Sequence, residues 1–169
     1  MDLKVLEALV DEALANETES TLVEWLSKQK KRTMKTYTGF IKELKENQIF
    51  VFGSNTQGRH GKGTAKLCLD KYGAIYGQAS GLQGQSYGLI TTDLTTYKFP
   101  SRSPSEILEE IKKLYKFAEL HPDLDFLIAY TADGHNLCGY TSNQLANLFS
   151  AVPIPENIVF EDKFANLIK

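Results

Sequence analysis

The sequence predicts an α/β fold, and three observations carry that reading. Ile49-Phe50-Val51-Phe52 is a short apolar run of strand-forming residues that ends at a glycine, as a strand buried on both faces should. Further strand candidates at 87–92, 126–131 and 157–161 alternate with segments of helical periodicity. Two capping boxes, Ser103-Pro104-Ser105-Glu106 and Thr141-Ser142-Asn143-Gln144, mark helix starts between those strands. Alternation of this kind implies a largely parallel sheet with helices on both faces, a three-layer α/β/α sandwich.

In chain order, Leu6, Leu9, Val10 and Ala13 fall at i, i+3, i+4 and i+7, the stripe of an amphipathic helix. After a break at 16–20, Leu22, Val23 and Leu26 share a second helical face, followed by the basic run Lys28, Lys30, Lys31 and Arg32. Tyr37, Phe40, Ile41 and Leu44 repeat the spacing and predict a third helix leading into the sheet. These helices form an N-terminal extension over 1–46, expected to pack on an α/β domain at 47–169. Beyond the first strand, Ala65, Cys68, Leu69 and Tyr72 predict a helix. Pro104 at the first helical position opens another, whose apolar face is Ile107, Leu108, Ile111, Leu114, Tyr115 and Ala118 and which His121-Pro122 stops. The second capping box opens a helix burying Leu145, Leu148 and Phe149.

A chain of 169 residues suits a single core, and 42% hydrophobic with 24% charged residues is ordinary for a folded domain. Nineteen basic against twenty-one acidic residues give a formal charge of -2, which excludes a strong electrostatic footprint for duplex nucleic acid. Any nucleic-acid contact would be local. Two cysteines, Cys68 and Cys138, without C-x-x-C spacing imply neither a disulfide framework nor a cysteine-rich zinc site. Met1-Asp2-Leu3-Lys4 opens no continuous apolar stretch, so a cytoplasmic location with no membrane partner is expected.

The chemistry concentrates where the glycines do. Nine of the twelve, from Gly53 to Gly88, fall within 36 residues. In Gly53-Ser54-Asn55-Thr56-Gln57-Gly58-Arg59-His60-Gly61-Lys62-Gly63, such residues let backbone N–H groups approach an anion, beside the positive end of the helix that begins near Thr64. Phosphate is the natural guest. Arg59-His60 stands where a Walker loop needs Lys followed by Ser or Thr, and the spacing is not G-x-G-x-x-G. A second loop, Asp133-Gly134-His135-Asn136-Leu137-Cys138-Gly139-Tyr140, also joins a strand to a capped helix, so both loops should face one crevice at the carboxyl ends of the strands. Between them Gly81-Leu82-Gln83-Gly84-Gln85 offers glutamines that either read a base or ribose or serve as turn residues. His60, His135 and Asp133 are the candidate catalytic groups. No metal is called for, since His60, His135 and Cys138 match no standard zinc spacing.

These residues resemble the macro domain, the ADP-ribose-binding α/β fold, and in particular its divergent phage-associated macro-like branch. Residues 49–63 are similar to the family's first loop, where asparagine contacts the distal ribose and a glycine run follows. Tyr76-Gly77-Gln78 through Gly81-Leu82-Gln83-Gly84-Gln85-Ser86-Tyr87 resembles a block typical of the phage-associated branch, and residues 126–149 resemble the diphosphate loop and its helix. The likeness covers about 48–169. It implies a mostly parallel mixed sheet and a site built from Gly53, Ser54, Asn55, Gly58, His60, Gly61, Lys62, Gly63, Gln83, Asp133, Gly134, His135, Asn136, Gly139 and Tyr140. The expected ligand is ADP-ribose or a related nucleotide metabolite, free or attached to a macromolecule, with no cofactor. The chain departs from the family where Thr64-Ala65 follows the glycine run, the place of an aspartate in one hydrolytic class. Two alternatives stand beside binding: a hydrolase of ADP-ribose derivatives, using Asn55, His60 and Asp133, and a phage-derived interaction or RNA-binding protein acting through Trp25 and the basic run.

Overall fold

A computed structural model describes residues 3–16, 22–24, 26, 34–130, 132 and 138–168, with the backbone alone at 9, 10 and 12–16. The chain divides into two compact units, 1–34 and 35–169. In the first, helix α1 spans Leu3–Asn16, and Leu22 to Glu24 and Leu26 are also helical. Leu9, Val10 and Ala13 as side chains, Trp25, and the basic run Lys28, Lys30, Lys31 and Arg32 lie outside the described residues.

The second unit is an α/β body built on strands β1 (Thr36–Tyr37), β2 (Gln48–Asn55), β3 (Gly81–Gln83), β4 (Ser86–Thr92), β5 (Asp125–Ile128) and β6 (Ile158–Glu161). They form one sheet in the order β1-β6-β5-β2-β4-β3. Every pairing is parallel except the β3–β4 hairpin. Helices α2 (Gly63–Lys71), α3 (Pro104–Leu120), α4 (Ser142–Phe149) and α5 (Asp162–Ala165) complete it.

Side-chain alternation along β2 sorts the layers. Phe50 and Phe52 point to the face where α2 buries Ala65 and Cys68, joined by Tyr72, Leu127 and Val159. Ile49 and Val51 point to the other face, opposite Phe126 and Tyr87 in register. There Phe117 of α3 meets both Tyr87 and Phe126, and Phe149 of α4 meets Phe160 and Phe164. Helices therefore cover both faces, as the alternation of elements predicts. Both capping boxes form: Ser103 and Thr141 accept from the N–H three residues on, and Glu106 and Gln144 return the bond.

The third helix expected over Tyr37, Phe40, Ile41 and Leu44 does not form. Gly39 takes a φ of 68°, which breaks any helical run, and Thr36 and Tyr37 instead extend the sheet beside Phe160 and Glu161. Ile41 and Leu44 pack on the α2 side of the core, while Phe40 is exposed. The compact unit that holds the sheet spans 35–169.

One side chain closes the far end of the sandwich. Asn157 is buried, and its Nδ2 lies 2.8 Å from the Ala118 carbonyl, 3.0 Å from that of His121 and 2.9 Å from that of Leu124. It adds a donor to carbonyls at the end of α3 and in the turn after it, where Ala118 and His121 also accept from the His121 and Leu124 N–H groups. Asn157→Ala removes the amide donor from all three, leaving Ala118 and His121 only their backbone N–H partners, and is expected to cost about 1 kcal/mol; a lower urea midpoint with unchanged slope checks it.

Candidate functional site

Strands β2 and β5 are parallel neighbours, with Val51 opposite Ile128, so the loops that follow them leave the sheet at the same edge. The glycine loop after β2 is rigidly made. Asn55 accepts from the Gln57 and Arg59 N–H groups at 3.2 and 2.9 Å and donates through Nδ2 to the Arg59 carbonyl at 2.7 Å. The side chain expected to meet a ribose is therefore engaged in folding the loop. Gly58, at φ 66°, is where the loop crosses the 75–78 turn, and the Gly77 N–H donates to its carbonyl at 2.8 Å. A Cβ there would stand 2.5 Å from the Gly77 carbonyl carbon.

His60 is wholly buried. Its Nε2 lies 2.9 Å from the Gln78 carbonyl, which can only accept, so Nε2 carries the proton. The ring meets Phe52 and Tyr76 edge to face, and Nδ1 is buried with no hydrogen-bond partner among the described residues. His60 thus plugs the underside of the loop, and the chain that follows it faces outward: Gly61, Lys62 and Gly63 are exposed. Helix α2 starts there without a side-chain cap. Its first amides belong to Gly63, which takes a φ of 59°, Thr64 and Ala65, at the positive end of the helix dipole.

Other expected ligand residues are structural. Gly53 lies in β2, and a Cβ on it would stand 2.8 Å from the Tyr130 hydroxyl. Ser54 is buried behind it. Gln83 is buried, its Oε1 accepting from the Ile75 N–H at 2.7 Å and its Nε2 donating to the carbonyls of Gln78 and Gly81 at 3.2 and 3.3 Å. The expectation that it reads a base is corrected: both amide atoms are occupied in bracing the hairpin. Gln85 likewise donates to the Lys45 and Gln48 carbonyls. Much of the glycine density has the same origin, since a Cβ on Gly84 would come within 2.7 Å of Gly73 Cα where two turns cross.

Of the second loop, Asp133, Gly134, His135 and Asn136 lie outside the described residues. Cys138 is buried, and burial raises its thiol above the ordinary range, as it pushes the Cys68 thiol up to about 12. Neither is a nucleophile near neutral pH. Gly139, at φ 86°, passes Pro100 so closely that a Cβ would be 3.2 Å from its Cα. Tyr140 donates to the Arg102 carbonyl at 2.5 Å, and its phenol is raised by burial first, then by Cys138 and Glu106.

The partner in these contacts is a segment that sequence reasoning passed over, residues 93–102 between β4 and α3. Asp93 organises it, accepting from Thr95 Oγ1 at 2.6 Å, the Thr95 N–H at 2.9 Å and Thr56 Oγ1 at 3.2 Å. The Thr95 hydroxyl and amide bonds, with those of Thr56 and the charge of Arg102, hold its carboxyl below the usual range. The Asp-x-Thr spacing was the available signal, an Asx turn. Among the described residues no group of three His, Cys, Asp or Glu is placed to hold a metal ion, and no helix is long and apolar enough to cross a membrane.

The chain matches no family model, and no curated protein or solved structure matches it significantly.

Gly58→Ala forces a left-handed residue against backbone and is expected to cost more than about 2 kcal/mol. Gly61→Ala, where a Cβ meets nothing within 4 Å, should leave the denaturation midpoint within about 0.5 kcal/mol of wild type. Comparing the two midpoints tests this division between packing and exposed glycines.

Proposed function

We propose that the protein binds ADP-ribose or a related nucleotide-derived metabolite, with a phosphate held on the backbone amides at 61–65. The observation that carries the reading is the uncapped start of α2, reached from a loop that Asn55, Gly58 and His60 fix in place, so that Gly61, Lys62 and Gly63 face solvent. Preorganised N–H groups with a helix dipole suit an anion. The mostly parallel mixed sheet with helices on both faces agrees with the macro-domain resemblance, as does the departure of the β2 and β5 loops from one edge.

Binding is preferred to hydrolysis because two of the groups suspected of catalysis have other work. Asn55 is engaged in its own loop, and the His60 imidazole is enclosed between Phe52 and Tyr76.

The test is thermal melting with a panel of nucleotides. ADP-ribose at 100 times its dissociation constant should stabilise the fold by about 2.7 kcal/mol. Gly61→Val is expected to abolish the shift while keeping the unliganded melting temperature, since nothing stands within 4 Å of a Cβ there. An unchanged shift removes the loop from the site. Release of free ADP-ribose from a modified protein would establish the hydrolase instead, and no stabilisation by any nucleotide would favour the RNA-binding or interaction reading.

A further inference from the structure

Two buried side chains from different elements end on one backbone oxygen. The Gln78 carbonyl lies 2.9 Å from His60 Nε2 and accepts from Gln83 Nε2 at 3.2 Å. Gln83 also accepts the Ile75 N–H through Oε1 at 2.7 Å, so β3 grips the 75–78 turn at both ends. The Gln78 side chain returns the grip, its Nε2 donating to the Ser80 and Leu82 carbonyls at 3.1 Å. Room for the Gln83 amide comes from Gly88 on β4, where a Cβ would stand 3.2 Å from Nε2. On the loop side, the Gly58 carbonyl accepts from the Gly77 N–H at 2.8 Å. A chain of bonds therefore runs from β3, through the turn, to His60, whose next residue is Gly61. His60 Nδ1 finds no hydrogen-bond partner among the described residues, so the bond to Gln78 is the ring's polar anchor there.

We propose that His60 and Gln83 are positioning residues for the anion site, acting through the Gln78 carbonyl without touching the ligand. The inference rests on the reading of residues 61–65 as the phosphate site and adds what governs its affinity. A buried imidazole and a buried amide aimed at one acceptor cost desolvation unless both bonds are made, so the turn has one favoured seat rather than many. With the turn seated, the loop above it is already ordered when an anion arrives. With the turn loose, binding has first to order the loop, and that entropy is subtracted from the affinity. Linkage makes the effect reciprocal: an anion held at 61–65 tightens the turn and the β3 brace, which contribute no group to the site.

Titration calorimetry of the full chain with inorganic pyrophosphate, which has neither sugar nor base, tests the idea beside amide hydrogen exchange. In the wild type, saturating pyrophosphate is expected to slow exchange at the Gly77 and Ile75 N–H groups by about threefold or more. His60→Phe keeps a ring in the seat but no donor, and Gln83→Met keeps the chain length but no amide. Each should weaken pyrophosphate binding about tenfold and speed exchange at 61–65. His60→Gln restores an N–H donor and should return the affinity to within about threefold of wild type. A purely structural role would lower the melting temperatures of His60→Phe and Gln83→Met while their affinity below melting stays at the wild-type value, and that result overturns the proposal. Unchanged exchange at Gly77 and Ile75 on saturation overturns it too, and this wild-type measurement decides alone if a variant fails to fold. A wild type that does not bind pyrophosphate ends the phosphate-site reading itself, and the proposal with it.

Discussion

The candidate site depends on one backbone crossing, where Gly58 passes the 75–78 turn with no side chain between them. The Gly77 N–H bond to Gly58 and the His60 bond to Gln78 fasten the loop after β2 to the turn before the β3–β4 hairpin at two points two residues apart. With the loop held from below, Gly61, Lys62 and Gly63 lie on its exposed side. A loop free to move would have to order itself around an anion, and that entropy would be subtracted from its affinity.

The same crossing explains why the glycines are so dense. Read along the chain, they suggest a surface moulded to phosphate; in three dimensions four of the nine, Gly58, Gly73, Gly84 and Gly88, stand where a Cβ would meet another stretch of backbone. Gly53 makes room for Tyr130, Gly58 for Gly77, and Gly84 for Gly73. Gly61 and Gly63 are exposed, and Gly63 takes a φ of 59°. A glycine needed for packing and one needed for a ligand have the same sequence signature, which is why residue type alone could not divide them.

What was legible in the sequence follows the strength of the local signal. The helices at 104–120 and 142–149 announced themselves through capping boxes, and β2 through four apolar residues ended by glycine. The two-residue strand β1 was not legible, because its apolar spacing also fits a helix and only Gly39 and the partner strand β6 decide the matter. Gln83 misled for a related reason: an amide that reads a base and one that braces a turn differ only in what surrounds them. Asn157 carried no warning at all, since its three carbonyl partners lie more than thirty residues away in the chain. The strap at 93–102 was passed over because neither periodicity nor glycine marks it.

The sheet's borders have a consequence for how the molecule behaves in company. One margin is a two-residue strand and the other a three-residue arm of a hairpin. Strands this short offer a neighbouring chain few unpaired N–H and C=O groups to copy. Growth of the sheet from one molecule into the next is thereby discouraged at both margins, although its central strands are apolar enough to aggregate if laid bare.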